Sequence, residues 1–129
     1  ITGTSLDKIS TFIQYGIRKG NVGTLWQNIS FGLAMNQNGN AVTTEKREYI
    51  KRAYRGVSDE LWKEMCDWAA ATGNTGGEIK KANKAFSAKM NALPVAFKKR
   101  ITEHAYEEAV RLFEATRSIG LADSVWACV

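Results

Sequence analysis

Apolar residues recur at three- and four-residue steps along almost the whole chain, and glycines cut that pattern into segments. Leu6, Ile9, Ile13 and Ile17 share one helical face between Ser5, a good N-cap residue, and Gly20. Leu25, Ile29 and Leu33 repeat the spacing after Thr24, widened by Trp26, Phe31 and Met35. Tyr49, Ile50, Ala53 and Tyr54 give the apolar side of a third predicted helix, Glu45 to Arg55, that ends at Gly56. Ser58 caps a fourth, with Asp59 and Glu60 where the helix dipole favours anions and Leu61, Trp62, Met65, Trp68 and Ala69 as its core face. Ile79, Ala82, Phe86, Met90 and Leu93 step along a fifth as far as Pro94, the only proline. Ile101, Ala105, Ala109, Leu112, Thr116 and Ile119 line the longest, before Gly120. Asn36 to Asn40 reads as a loop; Asn38-Gly39 suits a type I′ turn, but no alternating strand flanks it. No run of alternating β-branched residues occurs anywhere. The expected fold is therefore all-α: a single compact bundle of five to six helices, with a flexible Gly-rich break at residues 73–77 and an apolar C-terminal arm, Leu121 to Val129.

A chain of 129 residues makes one domain and buries about two-thirds of its unfolded surface, so it folds without a metal or disulfide. Its hydrophobic fraction of 44% and charged fraction of 24% are ordinary for a globular protein. The longest uncharged stretch, Gly20 to Thr44, contains the Asn-rich loop, so no membrane span is expected. The first residue is Ile1, which reads as a fragment or a processed product, and no signal peptide is visible. Cys66 and Cys128 match no metal or redox spacing. Two reduced, partly buried thiols are favoured over one disulfide.

Charge is segregated along the chain. The net +5 divides into +5 over residues 1–57, −3 over 58–77, +6 over 78–101 and −3 over 102–129. Arg47, Lys51 and Arg55 are spaced four apart, hence on one face if 45–55 is a helix, with Arg52 beside them and Tyr49 and Tyr54 interleaved. Lys80, Lys81 and Lys84 form a second cluster, and Lys98, Lys99 and Arg100 a third. If the three clusters meet in space they make a groove that tracks a phosphate backbone, and the tyrosines offer stacking surfaces for unpaired bases. The bland alternative is three solvated helix faces.

Sharper motifs fail. A helix-turn-helix over 45–71 has suitable lengths, but its reading helix carries Asp59, Glu60, Glu64 and Asp67, which phosphates repel. His104 is the only histidine, so no His-Glu-x-x-His zinc site exists, and a capping or surface role is expected for it. Cys66 lies among apolar neighbours and reads as core. Glu103, Glu107 and Glu114 with Arg111 and Arg117 read as solvated helix pairs. No catalytic residue, cofactor or metal ligand is assigned.

The expectation is a non-enzymatic structural protein, of the viral nucleocapsid or coat-subunit kind. It binds nucleic acid, RNA favoured over DNA, through the backbone and forms a homo-oligomer or filament. The kinship is one of type, with no family motif matched. The implied compartment is a virion or host cytoplasm, and otherwise intracellular. Arg47, Lys51, Arg52, Arg55, Lys80, Lys81, Lys84, Lys98, Lys99 and Arg100 are the expected phosphate contacts, with Tyr49 and Tyr54 stacking. Trp126 is the expected self-association anchor, helped by the acidic helices. The competing class is a helical protein-interaction or adaptor module.

Overall fold

The computed structural model describes residues 3–12, 14–17, 19–121, 123, 124 and 127. Among these the backbone forms α1 (Leu6–Phe12), α2 (Thr24–Phe31), α3 (Asp59–Ala71), a 3-10 helix (Gly76–Lys81), α4 (Ala82–Ala85), α5 (Ser87–Asn91) and α6 (Val95–Ala115). No strand or sheet occurs among them, so the protein is all-α. Trp126, Cys128 and much of the apolar terminal arm lie outside the described residues.

Helix ends follow local chemistry. Ser58 accepts a hydrogen bond from the Leu61 N–H through its side chain, which starts α3 as expected. Leu61, Met65 and Ala69 then recur every four residues and are buried. The α1 helix stops at Phe12, well short of Gly20, because Gly16 turns left-handed at φ 75° and Ile17 N–H returns to the Phe12 carbonyl. Phe86 adopts φ −103°, ψ 15° and divides the expected fifth helix into α4 and α5. Pro94 stands at the N-cap of α6, which begins at Val95 and ends at Ala115, with Thr116 as its C-cap before Arg117 at φ 55°.

The predicted helix Glu45–Arg55 does not form. Residues 33–51 instead fold back on themselves through three isolated antiparallel bridges, Leu33 with Lys51, Met35 with Ala41 and Thr43 with Tyr49. A helix would join Arg52 N–H to the Glu48 carbonyl. Here the Glu48 carbonyl accepts from Thr44 N–H at 2.8 Å, and Arg52 N–H donates to Gly32 at 2.8 Å. Asn38-Gly39 does close a hairpin-like turn: Asn36 N–H donates to the Asn40 carbonyl, and Gly39 takes φ 77°.

Two glycines make this path possible. Gly32 ends α2 at φ 90°, and Gly56 crosses directly over it at φ 69°. A Cβ on Gly56 would lie 2.3 Å from the Gly32 Cα, closer than any real contact. The crossing brings Phe31, Leu33 and Val57 into one core with Leu61, Met65, Ala69, Ile79 and Ala82. Phe31 meets Trp62, and Trp68 meets Phe86, edge to face at 6.1 and 6.0 Å. The α2 helix is shared by two packed groups. The α3, 3-10 and α4 helices pack around one side of the core, while α6 lies across α1 and α2.

Candidate nucleic-acid interface

The α6 helix is held to the 52–57 segment by polar contacts, because its only fully buried residue is His104. Arg100 donates from Nε to the Gly56 carbonyl at 2.8 Å and from Nη2 to the Val57 carbonyl at 2.7 Å. Its guanidinium lies 4.2 Å over the Phe97 ring. Arg55 donates from Nη2 to both oxygens of the Glu107 carboxylate, at 3.1 and 3.0 Å. Arg52 Nη1 lies 2.8 Å from His104 Nε2. Arginine only donates, so Nε2 accepts and the neutral ring carries its proton on Nδ1. Burial first, and then Arg52 and Arg55, push the His104 pKa below its ordinary 6.5, so the ring is neutral at pH 7. His104 is thus an interior acceptor for an arginine, a correction to the expected surface or capping role. Glu107 and Arg111 also depart from the expected helix pairs: Glu107 reaches Arg55, and Arg111 binds Glu108 one turn back.

These contacts frame an open groove of ≈ 850 Å³ between the 52–55 turn and α6. Arg52, Arg55 and Arg100 line it, and an adjoining hollow adds Lys51. Tyr54 stands on one wall at 87% exposure and Tyr106 on the other at 71%. Tyr54 adopts φ 57°, a left-handed conformation that costs a tyrosine about 1 kcal/mol. Acidic groups share the groove. Lys51 pairs with Asp59 at 3.0 Å, which lowers the Asp59 pKa, and Glu103 and Glu107 stand on α6. Four cationic and three anionic side chains therefore border it.

The expected site residues divide accordingly. Lys51, Arg52, Arg55, Arg100 and Tyr54 come together, although no helix joins them. Arg47 sits apart in the exposed 44–48 turn at φ 63°, so the shared helical face of Arg47, Lys51 and Arg55 does not exist. The Tyr49 hydroxyl donates to the Gly76 carbonyl at 2.7 Å and its ring packs on the core, which removes it as a stacking platform. Lys98 and Lys99 are exposed on α6, with Lys99 at 3.9 Å from Glu103. Lys80 and Lys81 belong to the 3-10 helix, where Lys80 reaches Thr24 and Lys81 pairs with Glu78; Lys84 is exposed on α4. That cluster belongs to the layer packed on α2 and α3 and does not line the groove. Tyr106 is the residue sequence reasoning missed. Its signal was the spacing Val95, Tyr106, Phe113, which falls on one helical stripe, away from the core.

Cys66 carries a free thiol, half-buried against the core, and burial raises its pKa to about 11. Among the described residues no three His, Cys, Asp or Glu side chains converge on a metal position, and no helix is long and apolar enough to cross a membrane. No protein-family model, curated protein or solved structure matches the chain.

Proposed function

We propose that this protein binds nucleic acid through its phosphate backbone and assembles with copies of itself as a non-enzymatic structural subunit of the nucleocapsid or coat type. One observation carries the reading: Lys51, Arg52, Arg55 and Arg100 border a single open groove whose walls end in two exposed tyrosines. Cations at this density attract phosphates regardless of sequence, and exposed phenol rings stack on unpaired bases. Asp59, Glu103 and Glu107 temper the field, so binding is of moderate strength and falls quickly with salt. A single strand, taken as RNA in keeping with the sequence expectation, is the favoured ligand: stacking on tyrosine needs bases that are not paired. Self-assembly draws support from α6 outside the groove, where Val95 and Phe113 are exposed apolar residues on an otherwise charged helix.

The test is to purify the protein at low and at high salt and to measure ultraviolet absorbance and light-scattering mass together. The expected result is nucleic acid that co-purifies in a large particle and dissociates in salt. A clean monomer, indifferent to salt and to added oligonucleotide, would overturn the proposal and favour a helical interaction or adaptor module.

A further inference from the structure

A second cavity, of ≈ 330 Å³, lies between α1, α2, the 36–40 loop and α6. Ile9, Leu25 and Leu112 form its apolar side. Asn38, Arg52 and Glu108 form its polar side, and each is held in place. Glu108, mostly buried, is gripped by Arg111 through both carboxylate oxygens at 3.1 Å. Arg52 is fixed by His104. The Asn38 backbone is tied at both ends, its N–H to Asn36 Oδ1 at 3.0 Å and its carbonyl to Gly3 N–H at 2.9 Å. The Asn38 side-chain oxygen is nevertheless buried with no hydrogen-bond partner among the described residues. A buried acceptor without a partner costs about 1–3 kcal/mol, and a turn of the Asn38 amide toward the cavity would let a donating ligand recover that penalty.

The chemistry of the walls narrows the ligand. An alkyl chain would leave the Asn38 amide oxygen unpaired and would seal the Glu108–Arg111 and Arg52–His104 pairs away from water without adding a hydrogen bond to either. A free phosphate would meet Glu108 and three aliphatic side chains. A ligand that satisfies all of them is small and flat, with apolar faces and an edge that both donates and accepts. A nucleobase has that form, and the cavity volume is at the lower end of small-molecule sites. Arg52 lines both this cavity and the groove, so a strand whose phosphates lie in the groove passes the cavity mouth.

We propose that this cavity takes one base splayed out from a bound single strand, with guanine the best fit. Guanine offers N1–H and N2–H donors to a carboxylate or amide oxygen, and O6 and N7 acceptors to a guanidinium. Uracil has a single N–H donor and is the poorest fit. The inference rests on the nucleic-acid reading above.

The experiment compares three short single-stranded RNAs by fluorescence anisotropy: an oligouridine, the same strand with one central guanosine, and the same strand with one central abasic position. All three keep the same phosphates. The guanosine strand should bind about tenfold more tightly than the oligouridine, as one good base-edge contact provides, and the abasic strand no more tightly than the oligouridine. Asn38→Ala and Leu112→Trp, the second filling the cavity, should each erase the guanosine advantage while leaving oligouridine binding unchanged. If a variant fails to fold, the three-strand comparison is repeated on Tyr54→Ala with Tyr106→Ala, which removes groove stacking and leaves the cavity intact: a guanosine advantage that survives supports the pocket, and one that disappears overturns it. Equal binding of all three strands would overturn the pocket and leave backbone binding standing. Binding of none would overturn the proposed function itself, and the pocket with it.

Discussion

Residues 45–55 and 59–71 have the same sequence rhythm and opposite fates. Both carry apolar residues at helical steps. In 59–71 a serine cap meets the first turn, and Leu61, Met65 and Ala69 all face the core, so α3 forms. In 45–55 the Glu48 carbonyl goes to Thr44 and the Arg52 N–H goes to Gly32. Burial there alternates, with Tyr49 and Lys51 half-buried and Ile50 and Arg52 exposed. The difference lies outside both segments, in the Gly32–Gly56 crossing. Once the backbone at Gly56 must lie on Gly32, the residues before it run back along 33–35 and cannot coil. Apolar spacing thus nominates a helix, and backbone hydrogen-bond demand at its ends decides it.

The sharpest way to break this contrast is at the crossing. Gly56→Ala puts a methyl group into the Gly32 backbone at a left-handed φ, and should cost about 4 kcal/mol, the upper range for a single substitution. Gly73→Ala has a similar φ of 69° with open space around it, and should cost only about 1–2 kcal/mol. Urea unfolding of the two variants measures the difference, which is the price of the crossing alone. Arg100→Met removes two hydrogen bonds from a charged donor to the Gly56 and Val57 carbonyls, and should cost about 2–3 kcal/mol in the same assay. It should also loosen α6, seen as faster amide exchange along that helix. Ser58→Ala removes the cap of α3 and should cost about 1 kcal/mol.

The last effect is absent at neutral pH and grows on acidification. The folded His104 has a pKa below its ordinary 6.5, so the unfolded chain takes up the proton first. Stability should therefore fall as pH drops from about 6.5 toward the folded pKa, and level off below it. Protonated His104 can no longer accept from Arg52. Glu107 and Glu108 oppose the shift, and Arg52 and Arg55 favour it. Urea midpoints measured across this window should slope for the native chain and lie flat for His104→Gln. Asp59 and Glu78, held low by Lys51 and Lys81, contribute only further down, as pH falls through the carboxylate range.

What was legible in the sequence follows the same division. The all-α class, the Ser58 start of α3 and its buried face could be read directly, because cap and core stripe are local. The 33–57 path could not, because it depends on Gly32 and Gly56 meeting across 24 positions of sequence. Asn38-Gly39 was the visible hint, set aside because its flanks do not alternate in polarity. The groove was half legible. Lys51, Arg52, Arg55 and Arg100 stood out as charge, while the helix expected to align them does not exist. His104 was misread because one histidine in a charged helix looks exposed, yet Ile101, His104, Glu108, Leu112 and Ala115 form a stripe at helical spacing. A polar pair within such a stripe signals a buried polar contact, here with an arginine from the 52–57 segment.

The measurement that tests the central claim is a titration of a labelled single-stranded oligonucleotide over a range of salt concentrations. Four cations and three carboxylates bordering one groove predict that the logarithm of the binding constant falls linearly with the logarithm of salt, with a slope between about −1, set by the net charge, and about −3, set by all four cations. Binding that is absent at low salt, or that does not change with salt, would contradict it.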